Sequence, residues 1–129
     1  MGTIDFQNTA TLAAHKLPLS HSASAGQYTY LSGQFAVVPE TGKLINGGLA
    51  EQARQTFANI EATLTSLGRT FADVIKTTVY LRDMSDFAEM NSIYETYFPN
   101  GFPARTTVAV LGLPMDARIE IEIVVFTPR

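Results

Sequence analysis

Apolar residues recur along the chain with two different periods, and these separate its helices from its strands. Leu49, Ala53, Phe57, Ile60, Leu64 and Leu67 follow one another at spacings of four, four, three, four and three, one stripe on an α-helix. Gly68 comes directly after and suits the left-handed position that closes such a helix, while Gly47-Gly48 reads as its flexible lead-in. Residues 74–82 (VIKTTVYLR) then alternate, with Thr77, Val79 and Leu81 on one face of a strand. A second helix is predicted from about Asp86 to Phe98. Ser85 or Asp83 caps it, Phe87, Met90, Tyr94 and Tyr97 form its stripe, and Pro99 helps to stop it. Two strands, about Thr106–Leu111 and Arg118–Phe126, finish the chain around a Gly-Leu-Pro-Met-Asp connection.

The first forty residues are less regular. Residues 3–8 (TIDFQN) alternate Ile4 and Phe6 with polar neighbours, as a short edge strand does. Residues 9–26 collect Pro18, Ser20, Ser22, Ser24 and Gly26 without a period and are predicted to be a loop. Residues 28–38 (YTYLSGQFAVV) are predicted to be one strand, with Gly33 marking a bulge or a close approach to the backbone. PETGK at 39–43 is a turn by composition. The order β-β-α-β-α-β-β predicts a single α+β domain over residues 1–129, a mixed sheet of five or six strands with two helices on one face. The opposite face carries apolar residues that two helices cannot reach, and a second copy of the chain is its simplest cover.

Composition narrows the function classes. Hydrophobic residues make up 46% of the 129 and charged residues 16%, a balance that excludes disorder. The net charge is −3 and no Lys/Arg cluster occurs, so no nucleic-acid partner is expected. The absence of cysteine removes disulfides, thiol nucleophiles and thiolate metal sites together. The N-terminal residues show no signal-peptide pattern, and no apolar run has the ~18 residues that cross a bilayer. A soluble, cytoplasmic protein is the expectation.

Few residues are equipped for chemistry. No Ser stands in a G-x-S-x-G elbow, and the two histidines, His15 and His21, lie in the irregular segment without a nearby carboxylate, so no metal site is expected. Gly47-Gly48 lacks the G-K-[ST] of a phosphate loop. Within the last strand, Glu120 and Glu122 share one face while Ile119, Ile121 and Ile123 share the other. Val124 and Phe126 continue the glutamate face, which argues for an enclosed or interfacial setting at its acidic end. Arg105 reads either as a surface cation after Pro103 or as a planar fork that holds a carboxylate by two hydrogen bonds. Glu120 is a possible salt-bridge partner for it, and pattern does not choose between these readings.

Several stretches together resemble the YjgF/RidA family, the reactive intermediate deaminases or L-PSP-like proteins. They are SGQ at 32–34, PETG at 39–42, EQARQTFANI at 51–60, DVIKTTVYLRDMSDFAEMN at 73–91, and FPARTTVAVLGLP at 102–114 with IEIE at 119–122. The resemblance runs through essentially the whole chain. It implies a chorismate-mutase-like domain assembled as a homotrimer, its sheets forming a central barrel, with sites in the clefts between subunits. It further implies a cofactor-independent enamine/imine deaminase acting on 2-aminoacrylate/2-iminopropanoate or 2-iminobutyrate. On the same basis Arg105 corresponds to the arginine that binds the substrate carboxylate and Glu120 to the glutamate that positions water. Ser32 and Gly33 line the cleft, Asn91 lies at its rim, and Thr107 stands where many members carry Cys.

The chain departs from the family after Pro18, where many deaminases have an aromatic residue and this sequence has Leu19, followed by Ser20 and His21. Leu19 and His21 are therefore candidate lining residues, and the preferred substrate stays open. A larger enamine such as 2-aminomuconate is one alternative. Others are an RNA-directed role, as in relatives labelled endoribonucleases, and a non-catalytic holdase or ligand-binding scaffold.

Overall fold

The computed structural model describes residues 2–128. Strands β1 (Asp5–Gln7), β2 (Ser22–Ala25) and β3 (Tyr28–Gln34) form an antiparallel meander, and β4 (Val37–Val38) pairs with β5 (Lys43–Leu44) in a small separate hairpin. Helix α1 (Leu49–Ser66) leads to β6 (Val74–Leu81), helix α2 (Phe87–Tyr94), β7 (Ala104–Ala109) and β8 (Ile119–Phe126). The main sheet has the order β1-β2-β3-β8-β6-β7, antiparallel throughout except for the parallel pair β6–β7. It is an α+β domain with a mixed sheet.

The ends of α1 follow from its sequence. Glu51 Oε1 accepts a hydrogen bond from the Gly48 N–H at 2.9 Å, satisfying one of the unpaired donors of the first turn. At the other end Gly68 takes φ +70°, and the N–H groups of Gly68 and Arg69 donate to the carbonyls of Thr65 and Leu64, a Schellman closure. Leu49, Ala53, Phe57, Ile60 and Leu64 are buried as their spacing predicts, against Val79, Leu81, Ile119, Ile121, Ile123 and Val125 of the sheet. Asp83, rather than Ser85, makes the capping contact before α2, accepting from the Ser85 N–H at 2.9 Å. Short 3-10 turns, Met84–Asp86 and Glu95–Tyr97, extend α2 at both ends, so the helical run matches its predicted span.

Four sequence-based expectations need correction. The stretch 9–26 is not all loop, since Ser22–Ala25 pairs with β3. Here the buried residues are serines, and Ser24 Oγ shares a 2.7 Å hydrogen bond with Thr29 Oγ1, so the usual apolar signal is missing. The predicted strand 28–38 breaks after Gln34, where a register shift between Leu31 and Gln34 marks a bulge. The strand before the connection begins at Ala104 rather than Thr106, which puts Arg105 inside it. Finally, Phe87 is 37% exposed and not part of the core stripe of α2, whose buried members are Met90, Ile93 and Tyr94.

Both helices pack on one face of the sheet. The other face presents Tyr28, Tyr30, Val108 and Phe126, all exposed.

Candidate functional site

The registers of the sheet decide where Arg105 and Glu120 point. Tyr80 pairs with Glu120 and Thr78 with Glu122 on the face that the helices leave open, while Thr77 pairs with Ile123 on the helix face. Arg105 pairs with Thr77 and Thr107 with Val79, so both belong to the helix face. Arg105 and Glu120 of one chain therefore stand on opposite faces of the sheet, with β6 between their strands. A salt bridge between them within the chain, one of the readings of the sequence, is excluded.

Glu120 sits at the centre of the first cluster. Its carboxylate lies against the α-carbon of Gly33: a Cβ built there would collide with Glu120 Oε2 and lie 3.0 Å from its Cδ. Gly33 falls inside the β3 bulge, so the sequence spends its smallest residue where the glutamate crosses the strand. Burial raises the Glu120 pKa above the usual carboxylate range, and the charge of Glu122 on the same face adds to it. Tyr80 OH donates to Glu122 Oε1 at 2.5 Å, and that bond, with burial and the two carboxylates, pushes the phenol up to about 12.

Ser32 and Leu19 complete this side. Ser32 Oγ donates to the Ser20 carbonyl at 2.6 Å, and its N–H donates to the His21 carbonyl at 3.0 Å, tying the Pro18 loop to β3. Leu19 is left 44% exposed beside Ser32. A cavity of about 210 Å³ opens here, with Leu19, Ser32, Gly33, Phe35, Val37 and Met115 among its lining. The His21 ring also borders it but is buried, and its Nδ1 accepts the Thr9 N–H at 2.8 Å, which leaves the proton on Nε2. Burial, and after it the nearby His15, lowers the His21 pKa, so the ring is neutral near pH 7.

Arg105 belongs to a second cluster. Its guanidinium carbon lies 4.9 Å from the centre of the Tyr94 ring and 5.6 Å from that of Phe87. Asn91, Tyr94, Glu95, Phe102, Pro103 and Arg105 line a cleft of about 290 Å³. Asn91 Oδ1 and Thr107 Oγ1 are buried yet have no hydrogen-bond partner among the described residues. Buried polar atoms are nearly always paired, so these two single out the surroundings of Arg105. By sequence Tyr94 and Phe87 belong to the apolar stripe of the helix. Their seven-residue spacing puts them on one helix face, but nothing in the sequence says that β7 brings an arginine to it.

The structure thus sorts the candidates into two groups, Leu19, Ser32, Gly33 and Glu120 in one and Asn91, Arg105 and Thr107 in the other. His21 stands behind the first group, holding the N-terminal segment.

Comparison with known proteins agrees with this fold. A human protein named 2-iminobutanoate/2-iminopropanoate deaminase is 43% identical over 107 residues, covering 83% of this chain and 78% of that protein. A RutC family protein of Pyrococcus horikoshii is 44% identical over 109 residues, covering 84% of this chain and 86% of the relative. Among solved structures, the YjgF gene product from E. coli superposes with a TM-score of 0.88 at 36% identity, covering 95% of this chain and 98% of that one. E. coli TdcF with bound serine gives 0.87 at 30% identity, with the same coverage of 95% and 98%. The family model described as Endoribonuclease L-PSP matches residues 9–127, and by that match the chain belongs to the L-PSP family, that of YjgF and RidA.

Proposed function

We propose that this protein is a RidA-type deaminase that hydrolyses 2-iminopropanoate, 2-iminobutyrate and their enamine tautomers to 2-keto acids and ammonia. It works as a homotrimer whose sheets meet through their open faces, and each cleft takes one group of residues from each of two copies. Glu120, Gly33, Ser32 and Leu19 of one copy face Arg105, Asn91 and Thr107 of the next. The observation that carries this reading is the placement of Arg105 and Glu120 on opposite faces of one sheet. A single chain cannot bring them to one ligand, whereas a ring of copies can. Four curated relatives named 2-iminobutanoate/2-iminopropanoate deaminase, at 39–43% identity, support the substrate class.

The chemistry asks little of the protein. An imine carbon is already electrophilic, so the enzyme needs to place the substrate and a water and to move protons. Arg105 binds the carboxylate through two N–H groups. Glu120, with its raised pKa, takes a proton from the attacking water and returns it to the nitrogen. Collapse of the carbinolamine breaks the C–N bond and gives the ketone and ammonia, so that imine plus water equals keto acid plus ammonia. No covalent intermediate with the chain is required.

Leu19 and the cavity beside it favour a second reading, a larger enamine as substrate. The wall at this point is apolar and 44% exposed. Both readings are tested by generating 2-aminoacrylate and 2-iminobutyrate in situ and following their decay with the wild type and with Arg105→Ala. Acceleration lost in the variant is the expected result. Wild-type inactivity on both, with activity on a bulkier enamine, would favour the second reading.

A further inference from the structure

The way Arg105 is held is as informative as its presence. Among the described residues its guanidinium has no salt bridge and no hydrogen bond, although the residue is half-buried. Its neighbours are two aromatic rings from one face of α2, Tyr94 at 4.9 Å and Phe87 at 5.6 Å. A ring face attracts a cation without using any of its five N–H donors, which a carboxylate partner would occupy. A lone exposed arginine would be unpartnered too, but its long side chain would sample many rotamers.

The Tyr94 ring is itself immobilised. It is 3% exposed and packs 5.9 Å from Phe57 and 4.8 Å from Phe98, centre to centre. Its hydroxyl shares a 2.7 Å hydrogen bond with Thr77 Oγ1, and Thr77 is the residue directly opposite Arg105 in the β6–β7 ladder. The backbone of Arg105 and the ring beside its guanidinium are thus both referred to one residue. Phe87, seven positions earlier on α2 and 37% exposed, is more than its place in an apolar stripe requires. Its contact with Arg105 gives it a task at the surface.

We propose that Tyr94, fixed by Thr77 and seconded by Phe87, is the positioning residue for Arg105. The two rings hold the guanidinium still by its π-faces and leave its N–H edge free for a carboxylate. This rests on the carboxylate-binding role given to Arg105 above and adds a device that sets its orientation. The device acts before any ligand arrives, so its energetic effect falls on carboxylate binding rather than on proton transfer.

Direct binding of 2-oxobutyrate, a stable keto acid of the product class, separates this proposal from the proposed reaction. Calorimetric titration compares the wild type with Arg105→Ala, Phe87→Leu, Tyr94→Leu and Tyr94→Phe, each checked for fold by its thermal transition. Losing one ring contact should weaken binding roughly 3- to 30-fold. Phe87→Leu, at a half-exposed position, should fall in the lower part of that range and Tyr94→Leu in the upper part. Tyr94→Phe keeps the ring and should stay within about 3-fold of wild type. With 2-iminobutyrate, Phe87→Leu and Tyr94→Leu should raise KM with little change in kcat.

Wild-type affinity in Phe87→Leu would overturn the proposal even if Tyr94→Leu failed to fold. Equal loss in Tyr94→Phe and Tyr94→Leu would overturn it as well, since the ring would then not be the cause. Absence of any Arg105-dependent 2-oxobutyrate binding in the wild type would have the same consequence. Intact, Arg105-dependent binding without imine turnover would leave the positioning role standing and remove the deaminase reading.

Discussion

Glu120 and Arg105 are held in contrasting ways. Glu120 lies on β8, a strand paired on both sides by β3 and β6, and its carboxylate rests on a backbone made bare by Gly33. Arg105 lies on β7, the last strand of the sheet, and its head group is held by rings from a neighbouring helix. The glutamate is placed by hydrogen-bonded backbone, the arginine by side chains. A group that must aim at a water needs a fixed backbone behind it, whereas a fork that must offer two N–H groups to a carboxylate is better gripped by side chains that leave those groups free. The two halves should therefore respond differently to substitution.

The most severe test of the comparison asks whether the halves come from different copies. Arg105→Ala and Glu120→Gln are each expected to lower kcat/KM for 2-iminobutyrate by about 100-fold or more. Co-expression of the two variants with different tags, and isolation of the mixed assemblies, should restore activity. In a mixed ring of three copies, one cleft in three has both residues intact. Mixed assemblies as inactive as their parents would dismiss the shared cleft.

Gly33→Ala probes the glutamate half alone. Either the new methyl or the Glu120 carboxylate must move, because the added carbon falls on Oε2. The expected result is a fall in kcat of about 10- to 100-fold with a smaller change in 2-oxobutyrate affinity, since Arg105 lies on the other face. Equal losses of both would show that the halves are not independent.

This division could not be read from the sequence, although most of its parts could. The periods of α1, β6 and β8 are strong because each buries a full stripe or face, and these elements stand where predicted. Strand β2 leaves no apolar signal because its inward residues, Ser22 and Ser24, are polar, and Ser24 bonds Thr29 on the neighbouring strand. The relative faces of Arg105 and Glu120 depend on two registers, Thr77 with Arg105 and Tyr80 with Glu120. A shift of one residue in either would put both on one face, and no local pattern fixes either register. Phe87 and Tyr94 fit an amphipathic helix so well that a contact with arginine left no separate trace.

Glu122→Gln tunes the glutamate half without moving it. Burial, and secondly the Glu122 charge, hold the Glu120 pKa up, so removing that charge lets Glu120 ionise at lower pH. If ionised Glu120 receives the proton from water, the acid limb of kcat/KM should move to lower pH by less than about one unit. The Tyr80 bond persists, because an amide oxygen accepts as well. An unmoved limb would mean that a group other than Glu120 sets it.

The smallest effect concerns the support behind the glutamate half. The buried His21 accepts the Thr9 N–H on Nδ1, and its carbonyl receives the Ser32 N–H, so it links the N-terminal segment to β3. Protonating Nδ1 removes the first of these bonds and charges a ring packed 5.0 Å from that of His15. The His21 pKa is lowered from 6.5, so the folded chain binds fewer protons here than the unfolded one. Its contribution to stability is thus complete above pH 6.5 and is lost as the pH falls through the folded-state value. The melting temperature of the wild type should decline as the pH falls below about 6.5, and more gently in His21→Gln, which melts lower at neutral pH. Hydrogen exchange over the same window should show residues 8–21 losing protection while residues 87–105 keep theirs. Uniform loss in both segments would mean that acid weakens the whole domain and not the support of one half.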